Sequence, residues 1–321
     1  MNQPSEHHAI RGYFYIAAAG LCWAASAGLG KAVFTGRHLP GGPLPPLDPQ
    51  ILSQMRVTIS LLALAPVLLL LRGTRWFAMP ARDMARCVML GIFGLAGSNF
   101  FYYYAIQKSS VSTAIIVQYT SPVWVLLYMA GRGRERTTLL RVSAVIGAAL
   151  GSALAIGIFR TDIRLAWLGI GSSLLAAFSF SFYNVLGRDL VKRHDRWKVM
   201  TFAMLGAAIF WLAIHSPRQI VAAHYSRGQW IFMIAFAFLS MLIPYSSYFS
   251  GLRHLDATRA VVTSCLEPVF TILIAALLLG EAFGAVQTLG MVIVLAATIV
   301  IQLPEPQVRS TAREGYELHS S

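Results

Sequence analysis

Ten runs of mainly apolar residues follow one another along the chain, at approximately 13–35, 50–71, 86–107, 110–130, 139–159, 164–187, 198–216, 229–251, 258–279 and 283–302. A helix needs roughly 20 such residues to cross the ~30 Å hydrocarbon core of a bilayer. No single soluble core absorbs so many of them. Composition agrees: 12% of the 321 residues are charged, about half the fraction in soluble domains. The first run is too long for a removable signal peptide, and no mature secreted domain follows it. The expectation is an all-α polytopic membrane protein with ten transmembrane helices.

The net charge of +13 follows that topology. With the N-terminus inside, eighteen Lys and Arg fall on inner segments and seven on outer ones, while Arg56 lies within the second run. Inner segments of short-loop membrane proteins carry that excess, so both termini are expected in the cytoplasm of an inner-membrane protein. The basic balance is a topology signal, and nucleic acid is not expected as a partner. Cys22, Cys87 and Cys265 lie within or at the edge of apolar runs without a CxxC pair, so neither a disulfide framework nor a metal site is suggested. No cofactor is expected.

Shifting the chain by 146 residues lays Tyr104–Val123 on Ser250–Val269, matching Ala114 with Ala260, Pro122 with Pro268 and Glu135 with Glu281. This is a five-plus-five repeat. Five spans is an odd number, so the second repeat enters the membrane the other way up. Inverted repeats place a site near the midplane and let access alternate between the two faces. The expected organisation is a cytoplasmic tail 1–12, a first repeat 13–159, a second repeat 164–302 and a disordered polar tail 303–321.

Each half also carries a Pro in its fourth helix ("TSPVW", "LEPVF"), a Glu just after it ("RGRER", "LLLGE") and a Gly-rich fifth helix. With "CWAASAGLGK" in the first run and Arg56 in "SQMRVTISLL", the chain resembles the EamA-type members of the drug/metabolite transporter superfamily over about residues 12–302. That resemblance implies two inverted five-helix repeats and the transport of metabolites, amino acids among them, with export as the direction. The "HLPGGPLPPLDPQ" loop is longer than the pattern, and nothing near Met204 answers to Arg56.

Glu267 is the sharpest candidate residue. A charge at the bilayer centre costs at least ~2.5 kcal/mol, so it should face the bundle interior or a wet cavity. It reads as a proton-coupling group or the partner of a substrate amine, with a structural carboxylate as the alternative. Unbroken helical spacing puts Arg259, Thr263, Glu267 and Thr271 on one face. Pro122 and Pro268 remove the helical bonds to the carbonyls of Gln118 and Ser264, which become candidate cavity walls. Asn99 and Tyr103, Gln118 and Ser121, Tyr183, Tyr245 and Trp23 add a lining of aromatics and neutral hydrogen-bonders. For each of these, helix packing is the better bet. Arg56 has three readings: snorkelling to the interface as the default, binding a substrate carboxylate, or pairing with Glu267. Gly147 and Gly151 form a GxxxG that is a candidate dimer face, with packing inside the monomer favoured.

No histidine falls mid-run and no paired carboxylates occur, so an embedded enzyme is disfavoured. An uncoupled facilitator or channel for other metabolites or vitamins is one alternative, although no repeated filter or ring of charge occurs, and a scaffold without transport is another. The reading is a secondary transporter exporting small organic metabolites, amino acids foremost and aromatic ones included, with the lipid bilayer as its surroundings and protons as candidate coupling ions.

Overall fold

The computed structural model describes residues 6–34, 47–109, 111–157, 166–279 and 284–303. The polar tail beyond 303, most of the proline-rich loop and Glu281 lie outside them. Ten helical rods account for nearly all of it: α1 (Glu6–Phe34), α2 (Pro49–Arg72), α3 (Ala81–Lys108), α4 (Val111–Gln118 and Ser121–Gly131), α5 (Leu139–Ile156), α6 (Trp167–Arg193), α7 (Arg196–Ile214), α8 (Arg227–His254), α9 (Ala257–Ser264 and Leu266–Leu279) and α10 (Ala285–Val300). Eight of these are long and apolar enough to cross a membrane, and α10 is a shorter apolar helix. The protein is an all-α polytopic membrane protein. The rods match the ten apolar runs closely, although α1 begins at Glu6, ahead of the tail boundary expected at residue 12.

Local chemistry sets the starts. Asp48 caps α2 by accepting from the N–H groups of Gln50 and Ile51 at 2.7 and 3.2 Å, with Pro49 in the first turn where its missing N–H is harmless. Asp195 and Asp256 cap α7 and α9 in the same way. Ser226 and Gln229 close a capping box on α8. Gly157 ends α5 in the left-handed region, φ 88°, which glycine adopts without strain.

Backbone irregularities recur at the 146-residue shift. α3 widens into a π-helical stretch at Leu90–Ala96, and α8 does so at Phe238–Leu242; the 146-residue shift carries the first onto 236–242. α4 breaks after Gln118 and α9 after Ser264, the same pair of positions under the same shift. The packing exchanges halves too. α1 lies along α8 and α9, while α6 lies along α3 and α4; α5 faces α10, and α2 faces α7.

Two crossings need glycine. A Cβ on Gly91 would come within 1.9 Å of the Ala203 carbonyl, so α3 and α7 touch backbone to backbone. A Cβ on Gly290 would sit 2.3 Å from the Ala155 nitrogen, and one on Gly151 3.0 Å from the Gly290 carbonyl. The Gly147–Gly151 pair is thus spent on α10 within the monomer, the close approach that small residues permit between membrane helices.

Candidate functional site

The breaks in α4 and α9 bring the polar candidates to the middle of the bundle. Pro122 sits in the first turn of Ser121–Gly131 and Pro268 in that of Leu266–Leu279, and neither has an N–H to close a turn onto Gln118 or Ser264. The chain bends there: Thr120 N–H donates to the Val117 carbonyl and Cys265 N–H to that of Val262, at 3.1 Å in both cases, a tighter turn than α-helix.

Glu267 stands one turn beyond the α9 break. It lies deep among protein atoms yet keeps a partly accessible surface. The Tyr119 hydroxyl approaches its carboxyl, and Tyr102 and Tyr245 lie within electrostatic range. α1 supplies the facing wall: a Cβ on Gly20 would meet the Glu267 backbone nitrogen at 3.6 Å, so the small residue lets α1 close against α9. Trp23, one turn further along α1, packs its ring on Tyr245 and Tyr248 with centroids 5.3 and 5.4 Å apart.

The other candidates separate into two groups. Tyr103, edge-on to Tyr102 at 5.3 Å, is half-buried, as are Asn99 and Gln118. Gln118 Nε2 donates to Ser98 Oγ at 3.3 Å. Tyr183 is 1% exposed and sealed among Phe180, Tyr245, Tyr248 and Phe249, a core residue. Ser121 and Ser264 are buried too: the Ser121 carbonyl accepts from Ser181 Oγ at 3.2 Å, and Ser264 Oγ donates to the Val261 carbonyl at 2.7 Å.

Two expectations are corrected. Arg56 does not snorkel: it is 8% exposed and its Nη2 donates to Asn99 Oδ1. α2 is buried from Leu52 to Val57, so the side chain turns towards α3. Arg259 does not share a face with Glu267, because the break at Cys265 interrupts the helical phase. Its Nε instead lies 3.5 Å from Asp256. Thr263 and Thr271 hydroxyls donate to carbonyls of their own helix, those of Arg259 and Glu267.

The sequence reading missed a second cluster. Every ion pair among the described residues lies at the end of the bundle that carries the start of α1 and the end of α10. Arg141 bridges Glu135 at 2.6 Å and Asp256 at 3.0 Å, tying the α4–α5 turn to the α8–α9 turn. Arg134 reaches Asp189 at 2.8 Å, and His194 reaches Asp83 at 2.8 Å. Burial, and Asp256 sharing the same guanidinium, push the Glu135 carboxyl above the usual carboxylate range. Only the repeat position of Glu135 hinted at this. Its partners are far away in sequence, and long-range pairing leaves no periodic mark.

Residues 10–157 and again 167–303 match the EamA-like transporter family. The chain is 22% identical over 226 residues to the uncharacterized inner membrane transporter YicL of Salmonella typhimurium, covering 69% of this chain and 74% of that one. It is 24% identical over 259 residues to the threonine/homoserine exporter RhtA of Salmonella typhimurium, covering 79% and 84%. A solved crystal structure shares the fold over 92% of this chain and 96% of its own, with a TM-score of 0.70 at 19% identity.

Proposed function

The chain belongs to the EamA-like transporter family, and on that premise we propose that it exports small organic metabolites, amino acids foremost, across the inner membrane by alternating access. The observation that carries this reading is Glu267, an acid deep in the bundle, partly accessible and set at a helix break that both repeats contain. An ionisable residue at membrane depth is costly unless it faces a wet cavity, and such residues mark substrate and proton paths. Here it lies by tyrosines, with Trp23 packed on Tyr245 close by, surfaces that suit an amphipathic molecule with an amine. The exporter name of RhtA supports amino acids as cargo.

Glu267 has two compatible tasks, holding the cargo's amine and exchanging a proton for it. A carboxyl that binds either an ammonium or a proton couples the two without further machinery. The positive-inside bias supports cytoplasmic termini, which puts the Arg141–Asp256 and Arg134–Asp189 bridges on the cytoplasmic side. Opening towards the cytoplasm then requires these bridges between the halves to part.

The test is exchange and pH-gradient-driven accumulation of labelled amino acids in proteoliposomes, with wild type and Glu267→Gln. Accumulation that follows the gradient only in wild type supports the coupling role. Equal exchange in both proteins, indifferent to the gradient, makes Glu267 structural and the protein a facilitator. If wild type moves no amino acid, the cargo class falls.

A further inference from the structure

The first turns of α2 hold a concentration of sealed polar atoms. Ser53 Oγ, Gln54 Oε1, Arg56 Nε and Thr58 Oγ1 are all buried without a hydrogen-bond partner among the described residues. Arg56 matters most, because its charge is permanent. Its single described bond goes to Asn99 Oδ1, a neutral oxygen, and no carboxylate of the described residues pairs with it. A buried cation that meets only a neutral oxygen among the described residues is strongly unfavourable, so Arg56 is suited to be one half of an ion pair with an anion as the other.

The surroundings say where that half would sit. Asn99 donates Nδ2 to the Leu95 carbonyl at 2.8 Å, inside the π stretch of α3, which fixes its amide and leaves Oδ1 turned to Arg56. Tyr245 approaches the same Asn99 and lies within electrostatic range of both Arg56 and Glu267. Trp23, whose ring packs on Tyr245 at 5.3 Å, stands one turn along α1 from Gly20, where a Cβ would lie 3.6 Å from the Glu267 nitrogen, so the same aromatic cluster joins the Arg56 and Glu267 neighbourhoods from different halves.

Resting on the transport reading above, we infer that Arg56 binds the carboxylate of the cargo while Glu267 takes its ammonium, so that the site selects zwitterions. Guanidinium presents a planar fork that matches a carboxylate in bidentate fashion. Asn99 holds one arm of that fork and so acts as a positioning residue. A cargo that lacks the carboxylate leaves the guanidinium buried and unpaired, and a site built this way discriminates strongly against such analogues.

The experiment is counterflow in proteoliposomes of the full chain, with L-threonine and L-phenylalanine against threoninol and phenylalaninol, whose carboxylate is replaced by hydroxymethyl. Wild type should favour the amino acids by about tenfold or more, the size of one charge-assisted interaction. Arg56→Gln should lose about tenfold on the amino acids while the amino alcohols change by less than about threefold. Arg56→Lys should keep part of the preference, since it keeps the charge without the fork. If Arg56→Gln does not fold, Asn99→Ala reads the same discrimination with Arg56 in place and should narrow it.

A wild type that carries amino alcohols as fast as amino acids overturns the inference and leaves transport standing. So does an Arg56→Gln that slows all four probes alike, which is the mark of a structural residue. A wild type that moves none of the four overturns the amino-acid cargo itself, and this inference with it.

Discussion

α4 and α9 share a backbone and differ in chemistry. Each follows a helix with a π stretch, breaks at the same repeat position and restarts on a proline. Where α4 restarts, one turn beyond its break, stands Ser121, buried at 2% with its carbonyl occupied by Ser181. The matching residue of α9 is Glu267, partly accessible and faced by Tyr119. Arg56 is the mirror case: it stands in α2 of the first half, and the corresponding stretch of α7 offers Met204, 1% exposed in the core. The duplicated features are those a moving scaffold needs twice. The unduplicated ones, Glu267 and Arg56, are charges, and the proposed zwitterionic cargo would present one amine and one carboxylate to them.

Moving the acid breaks this comparison most severely. A chain with Glu267→Ser and Ser121→Glu keeps its composition but puts the carboxylate on the buried side. Accumulation driven by a pH gradient is expected to fall ~100-fold, the scale of losing one partner of a buried charge pair. Accumulation above a tenth of wild type would mean that the two breaks are interchangeable.

Arg141→Gln comes next, because it leaves Glu135 and Asp256 without their shared cation. Breaking such a buried pair costs roughly 3–5 kcal/mol, readable as a lowered unfolding midpoint in detergent. Arg134→Ala, at a more exposed bridge to Asp189, should cost at most about 1 kcal/mol. Similar losses from both would erase the distinction between a buried hub and its rim.

At the glycine seam, Gly290→Ala should cost about 1–3 kcal/mol through overpacking, since its Cβ would press on the Ala155 backbone at 2.3 Å. Gly147→Ala meets Ala297 Cβ at an ordinary 3.4 Å and should stay within ~0.5 kcal/mol. The smallest effect is expected from Ser121→Ala, with exchange within about twofold of wild type, because the accepting group is the backbone carbonyl, which alanine retains.

Much of the scaffold was legible in the sequence because the bilayer imposes a length and the repeat imposes an order. Ten apolar runs became ten rods, and the two prolines marked the two breaks. The depth of Glu267 followed from its place in an apolar run. What escaped was rotation. Helical spacing put Arg259 on the face of Glu267, but a break of one residue resets the phase, and Arg259 joined Asp256. The same resetting in α4 turned Tyr119 towards the acid, although the candidates read there were Gln118 and Ser121. The burial of Arg56 was misjudged because the residues preceding it suggested a surface within reach. That distance runs along α2 and says nothing about the helices packed around it.

The seam between α5 and α10 has a further consequence. Where backbone meets backbone, no side chain is left to change rotamer and absorb a slide of one helix past the other. The pair therefore behaves as a single plank, and displacement of the two halves must be taken up by the helices on either side of it. Probes placed across α5 and α10 should hold one separation through the whole cycle, giving a fixed baseline against which the travel of every other helix can be measured.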